Sequence, residues 1–441
     1  MKKPIVVTKL TAADFPAAVR PYWTNAKSKV DSLIQIKGVI LAITCYVVLA
    51  PRLRVKYYYN YFMSMILLNI LAIGPTGKGK TFVNYIVGTI LYLLNERDEK
   101  ERSIEKNYKR ENKRKGSNQK KDEEPLWAYR ILQKFTLPVA VKLADNIQLR
   151  YGDLLPFFLH ANETGAFTEN KRGSAEFSAV ARSAYNMGEK YSRDTLYDGG
   201  YNACVDICWN SIICGQEVSL SKYITKDGLL MGDASRHIIF MLGEDLGEEA
   251  PRMDYLTNEQ QLHVNDAINR LMKETFTDDD KLMPIHEVDM SWINKDVICW
   301  CDHQREIINK SGSRAQDSFY GRASESAFRL ATMLYHLWGE DPKRQRNVRR
   351  CYYYFAQFIL DGLMNQWGQQ FEAAIPKDKE TTINRPTLYD SLSKRFTRTQ
   401  LCEKINELGI STAARKFIYK WLQKKWIFEV EGEPDTYERI Y

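Results

Sequence analysis

Eight consecutive residues constrain this chain more than any others. Gly74-Pro75-Thr76-Gly77-Lys78-Gly79-Lys80-Thr81 fits the pattern G-x-x-x-x-G-K-S/T. Its glycines admit backbone angles that turn successive N–H groups onto phosphate oxygens. Lys80 then reaches the β- and γ-phosphates of a nucleotide such as ATP, and the Thr81 hydroxyl binds Mg²⁺. The flanks fit the same reading. Asn69 to Gly74 (NILAIG) is a short apolar run, and Thr81 to Leu94 (TFVNYIVGTILYLL) has helix length. Strand, loop and helix in that order put the positive N-terminal end of the helix at the phosphates. About one chain in a hundred of this composition would carry the pattern by chance.

Hydrolysis needs further groups: a carboxylate beside the attacking water, a polar sensor of the phosphate, and an arginine to offset developing charge. Glu163 ends the apolar run Leu154 to Asn162 (LLPFFLHAN) and suits the carboxylate. Asn162 stands where the usual second-strand motif has Asp. An amide can hold a Mg²⁺-bound water but brings no charge. Gln216 ends the strand-like WNSIICG and suits the sensor. Arg236 lies between GLLMGDAS and HIIFML. It is either an arginine offered to a neighbouring subunit or a sensor within its own. Arg322 and Arg329 are further candidates for a second sensor. Each position also has a plainer reading: a loop carboxylate, a strand-end amide, a surface salt bridge.

The 441 residues suggest about three domains. Residues 1–66 look mostly helical. Residues 67–245 hold four apolar runs that alternate with helical segments, the pattern of an α/β fold with a parallel sheet and crossovers. A charged tract, residues 96–124, interrupts them with 11 basic and 9 acidic residues. It reads as a solvated loop or helix extension, or as a basic arm over nucleic acid. Residues 246–375 have helical periodicity, residues 376–386 read as a linker, and residues 387–441 form a separate small module.

In that module Thr397 to Glu407 and Ser411 to about Lys425 read as helices joined at Gly409, followed by a β-hairpin. This is the outline of a winged helix. Ala414, Ile418, Trp421 and Leu422 share an inward face. Arg415, Lys416, Tyr419 and Gln423 point elsewhere, toward DNA if it binds here. Lys394 to Lys425 holds nine basic residues against Glu403 and Glu407.

These stretches fall into a recognisable order. A helical leader precedes GPTGKGKT; an apolar run ends in Glu (FFLHANETGAF); Tyr191-Ser192-Arg193 precedes a strand ending in IICGQ; Gly228-Leu229-Leu230 and Arg236 precede another strand. The order resembles the primase-helicase-type P-loop ATPases of bacterial mobile elements and prophages, and is similar in outline to superfamily 3 and AAA+ ring helicases. The resemblance covers roughly residues 30 to 340. It implies a P-loop NTPase core with helical flanks and an ATP-driven motor on DNA. It also implies a homo-oligomer, a hexameric ring being one form. Glu163, Gln216 and Arg236 take the acidic, sensor and arginine positions. Asn162 and the insertion depart from the pattern, and the chain starts too near the motor to hold a primase segment.

Other signals carry less. The net charge of +8 permits nucleic acid as a partner without demanding it. Eight cysteines are ordinary for a reduced intracellular chain, and no signal peptide or spanning segment is evident, so a cytoplasmic location is expected. Cys299 and Cys301 lack a second metal-site pair; an alternating strand would bury both on one face. The run Tyr352-Tyr353-Tyr354 reads as helix packing. The expectation is an ATP- and Mg²⁺-dependent DNA helicase. The alternative is an ATP-switched DNA-binding initiator, loader or transposition regulator that unwinds nothing.

Overall fold

The computed structural model describes the chain except residues 1–5, 59–61, 76–78, 116–122, 134–135, 165–179, 186–189, 194–202, 243–248, 376–387, 390, 409–412, 424–425, 431 and 440–441. Thr76, Gly77, Lys78, the linker, Gly409, Ser411 and Lys425 therefore lie outside the described residues, as do the side chains of Tyr191-Ser192-Arg193.

The chain forms two compact units, Met1–Glu372 and Ala373–Tyr441. The first is α/β, built on a five-stranded parallel sheet. In chain order its strands are β1 (Asn69–Ile73), β2 (Ile131–Leu132), β3 (Phe157–Ala161), β4 (Trp209–Gly215) and β5 (Ile238–Met241). In space the order is β5-β1-β4-β3-β2, every pair parallel. β1 and β4 are buried along their whole length, as expected of strands covered on both faces. The β1–β2 connection runs across the sheet opposite to the later three. Right-handed crossovers therefore place it on the other face.

The run Cys204 to Cys214, expected as one strand, is two. Ala203–Asp206 pairs antiparallel with Lys190–Arg193, and β4 begins only at Trp209. Residues 1–66 are less helical than expected. The helix α1 (Ile34–Leu49) is buried on every side, but Leu53–Val55 is a strand. It pairs with Ser64–Met65 on one side and with His286–Val288 from the later helical region on the other.

The charged tract is mostly helix. α2 runs from Lys80 to Arg114 without a break. Its polar extension is not wholly solvated, because Asp98 and Glu101 are buried. Asp98 Oδ2 accepts hydrogen bonds from the backbone N–H groups of Arg130 (2.8 Å) and Ile131 (2.6 Å). Glu101 Oε2 accepts from Ala128 N–H (2.9 Å) and from Arg150 (2.7 Å). Arg102 donates to the Ile131 carbonyl and stacks 4.1 Å over Tyr129. One turn of charged helix thus supplies the polar partners of the segment that enters β2. The basic middle of the tract lies partly outside the described residues.

Burial pushes the Asp98 carboxyl up to about 6, against the opposing pull of its two backbone donors. Its pKa is higher folded than unfolded, where it is about 3.9. The stability it adds is therefore full below about pH 4 and lost as pH rises through about 6. Asp98→Ala should cost about 2–4 kcal/mol, because two buried N–H groups lose their acceptor. Asp98→Asn keeps an acceptor oxygen. The stability gap between wild type and Asp98→Asn should shrink between pH 4 and 7 in denaturant titrations. A gap independent of pH would refute the assignment.

Four long helices follow the sheet: α3 (Asn258–Thr275), α4 (Asn294–Ser311), α5 (Arg314–Trp338) and α6 (Arg344–Leu363). α6 continues into a π-helical turn, Met364–Gly368. Cys299 and Cys301 lie on α4 and not on a strand. At that helical spacing only Cys301 is buried, and its thiol meets Ser324 Oγ at 3.5 Å. None of the eight cysteines is in a disulfide. Tyr352 and Tyr353 pack as expected, Tyr352 against Ser324 (2.7 Å) and Tyr353 against Asp296 (3.2 Å). Among the described residues no helix is long and apolar enough to cross a membrane.

The second unit has helices α7 (Arg398–Glu407) and α8 (Ala414–Gln423) and a three-stranded antiparallel sheet. Two strands, Ile427–Glu429 and Thr436–Arg439, make the expected hairpin. A third, Arg395–Thr397, was not anticipated and pairs on the far side of Thr436–Arg439. Thr397 caps α7 by accepting from Gln400 N–H (3.3 Å), and the Gln400 side chain accepts from Thr397 N–H (2.9 Å). Ala414, Ile418 and Trp421 enter a core with Leu401, Phe396 and Tyr389, and Leu422 packs against it.

Candidate functional site

The register of the sheet decides what can meet the Gly74–Thr81 loop. Ile73 aligns with Gly215 on one side and with Met241 on the other. Ala161 of β3 aligns with Ile213, so Glu163 lies level with Gly215. Ile73, Gly215, Met241 and Glu163 thus share the C-terminal edge of the sheet, where ligands of open α/β sheets bind. The loop is held there by backbone bonds. Gly74 N–H donates to the Gly215 carbonyl at 2.9 Å, and Leu242 N–H donates to the Ile73 carbonyl at 2.6 Å.

Gly79 precedes α2 with φ +90°, a left-handed conformation that favours glycine. A Cβ on it would stand 2.7 Å from Leu242 Cδ1. The last turn of the loop therefore needs glycine twice over, for its angle and for the leucine that β5 presses against it. β5 is itself anchored. The buried Lys37 ammonium donates to the Met241 carbonyl at 2.6 Å and pairs with Asp31 at 2.7 Å.

Lys80 and Glu163 meet: Nζ lies 2.9 Å from Oε1. The lysine starts α2 and the glutamate follows β3, two strands or about 10 Å away across β4. Lys80 lowers the Glu163 pKa by hydrogen bonding and by its charge, so the carboxylate is ionised at neutral pH. Its side chain is 69% exposed. An ion pair so exposed adds little to stability; its significance is positional. Thr81 and Asn162 are exposed at the same edge.

Gln216 directly follows β4 and has its backbone held from both sides. Ser219 Oγ donates to the Gln216 carbonyl (2.8 Å) and accepts from its N–H (3.1 Å). Thr164, next to Glu163 and fully buried, donates to the same Ser219 oxygen at 2.6 Å. A Cβ on Gly215 would stand 2.7 Å from Thr164 Cγ2. Thr164, Ser219 and Gly215 thus lock the carboxylate-bearing and amide-bearing strand ends together. Sequence reasoning missed all three. A serine three residues after Gln216, at the start of a helix, was the one available signal.

Arg236 is elsewhere. It precedes β5, and Ile238 aligns with Ile70, so Arg236 lies at the N-terminal edge of the sheet. About five residues of strand, roughly 17 Å, separate the two edges. Arg236 therefore stands at the edge of the sheet opposite its own subunit's loop. Arg236 Nη1 donates to the Gly232 carbonyl at 2.8 Å, while its buried Nε has no partner among the described residues. Burial, then the nearby Arg322 charge, lowers its pKa. Beside it Arg182 pairs with Asp233 (2.7 Å). The buried His237, whose pKa burial lowers to about 4, binds the Asp233 carbonyl at 2.8 Å as a neutral ring.

Arg322 and Arg329 do not face the loop either. Both bind Glu325, at 2.7 and 2.8 Å, and Arg329 also donates to the Leu67 carbonyl ahead of β1. Arg329 thereby ties α5 to the N-terminal edge of the sheet, while the Arg322–Glu325 pair lies within the helix.

In the second unit Arg415, Lys416, Tyr419 and Gln423 are exposed on α8, and so is Lys420, which the sequence reading left out. Gln423 Nε2 donates to Tyr419 Oη at 2.9 Å. Among the described residues no group of three or more His, Cys, Asp or Glu is placed to hold a metal ion. No family model matches this chain, and no curated protein does.

Proposed function

We propose that this chain is a P-loop ATPase that acts as a motor on DNA, and that it works as a homo-oligomer whose subunits complete one another's sites. One observation carries the reading: Lys80 and Glu163 converge at the C-terminal edge of a parallel sheet, with Gln216 on the strand between them. In this reading the loop and Lys80 hold the triphosphate. Glu163 orients the attacking water and Gln216 bonds the γ-phosphate or that water. Thr81 and Asn162 offer neutral oxygens to Mg²⁺, a donor set that fits an ion whose other ligands are phosphates and water. Mg²⁺ supplies charge neutralisation at the phosphates.

Arg236, at the opposite edge of the sheet, serves the neighbouring subunit. The second unit is a winged helix in this reading. Its exposed basic face on α8 takes the DNA backbone. The hairpin carries exposed Glu429, Glu433 and Asp435, so α8 makes the contact and the hairpin does not.

Measuring ATP hydrolysis with and without single-stranded DNA tests the proposal. Wild type should be stimulated by DNA. Lys80→Ala should bind ATP about 10- to 100-fold more weakly, losing charge-assisted bonds to phosphate. Arg415→Ala/Lys416→Ala should keep the DNA-free rate and lose stimulation. Asn162, an amide where a charged Mg²⁺ partner is usual, favours the second reading: an ATP-switched DNA-binding regulator. Tight ATP binding with negligible turnover, whether or not DNA is present, would establish that reading against the motor.

A further inference from the structure

A cleft of about 1010 Å³ opens beside the loop. Gly74, Pro75 and Gln216 form one wall, and the end of β5 and the face of α6 form the other. Gly362 brings α6 this close, because a Cβ there would stand 2.7 Å from the Ile239 carbonyl. Beyond Gly362 the helix loosens into the π turn Met364–Gly368, a deformation frequent at functional sites. That turn and the helix before it present Gln357, Asp361 and Asn365, four residues apart, to the cleft. Tyr354 and Phe358 add half-buried aromatic rings to the same wall. Val218 is 77% exposed at its rim. Apolar walls with a few convergent polar groups are what small-molecule sites offer.

The strand order gives the direction. Lys80 points across β4 to Glu163 on β3. A triphosphate with its γ end toward β3 runs its other end back over β1 toward β5, where α6 packs.

We propose that this cleft receives the nucleoside of the bound nucleotide, with Asp361 and Asn365 selecting adenine. The inference rests on the nucleotide-binding reading above. The carboxylate accepts from an exocyclic amine, and the Asn365 amide donates to the neighbouring ring nitrogen. Gln357 Nε2 already donates to Asp361 Oδ1 at 2.8 Å. One carboxylate oxygen is left to face the base. That suits the single amine of adenine and not the paired N–H groups of guanine. Uracil presents a carbonyl where the amine is needed. Cytosine offers the same amine and ring nitrogen, but its single ring holds them closer to the ribose than adenine does.

Calorimetric titration of the full chain with ATP, GTP, CTP, UTP and inorganic tripolyphosphate tests this. ATP should bind about 10- to 100-fold tighter than the other three nucleotides. Asp361→Ala and Asn365→Ala should each weaken ATP about tenfold and leave tripolyphosphate unchanged. Both positions are solvent-exposed, so neither change removes a core contact. Asp361→Asn provides a conservative control that keeps shape and loses the acceptor charge. Equal binding of all four nucleotides, or selectivity untouched by these variants, would overturn the cleft assignment and leave the phosphate loop standing. Loss of both ATP and tripolyphosphate binding from wild type would remove the nucleotide reading, and the cleft assignment with it.

Discussion

Glu163→Gln should lower ATP turnover by about 100- to 1000-fold while ATP binds at least as tightly as to wild type. The carboxylate stands 2.9 Å from the Lys80 ammonium, at the level where β3, β4 and β1 end together. A nucleotide that takes the ammonium for its phosphates must compete with this partner. The amide keeps the side chain's shape and removes the charge. The competition weakens, and the group that polarises the attacking water in the proposed mechanism is lost. Removing one preorganised electrostatic group of this kind costs about 10²–10³ in rate. Binding and single-turnover measurements separate the two effects. A variant that turns over ATP at the wild-type rate would remove Glu163 from the reaction. A variant that binds ATP more weakly would mean that the ion pair prepares the loop and does not compete with it.

Arg236→Ala should lower the turnover of the assembled protein by about 1000-fold, the lower end for an arginine supplied to a phosphoryl-transfer site. The same change should leave ATP binding to the isolated chain intact, because Arg236 is roughly 17 Å from its own loop. Mixing gives the sharper result. A Lys80→Ala subunit has a defective loop and an intact Arg236; an Arg236→Ala subunit has the reverse. Mixed together, the two inactive proteins should recover part of the wild-type rate, since each mixed interface can pair one good loop with one good arginine. No recovery across a range of mixing ratios, with co-assembly demonstrated, would assign Arg236 to its own chain's structure. Its Gly232 bond and the Arg182–Asp233 pair beside it would then be the whole of its role.

Why some of this was legible in the sequence is a matter of range. The phosphate-loop pattern, its strand and its helix are local. Apolar run length, glycine content and helix start signals all act within about twenty residues. The inward face of α8 was legible for the same reason, since Ala414, Ile418 and Trp421 repeat at helical spacing. The charged tract misled because a count of charges does not say where they point. Asp98 and Glu101 are three residues apart, on one helix face, and that face meets backbone N–H groups some thirty residues away. Cys299 and Cys301 misled because four alternating residues fit a strand, whereas the eighteen residues around them form a helix. Thr164 carries no pattern, and Ser219 only a helix-start signal; their joint role appears only where each stands beside the other.

The sequence by itself determined the strand, the loop and the helix around Lys80, and the residue types available for chemistry. These follow from nearest-neighbour sterics and from the period of apolar residues. Only the tertiary structure decided that β4 lies between the strands of Lys80 and Glu163, that Gln216 therefore stands between them, and that Arg236 stands at the far edge. Strand order is set by which long crossovers bury the most surface together. That balance is summed over the whole sheet and is written in no single stretch of chain.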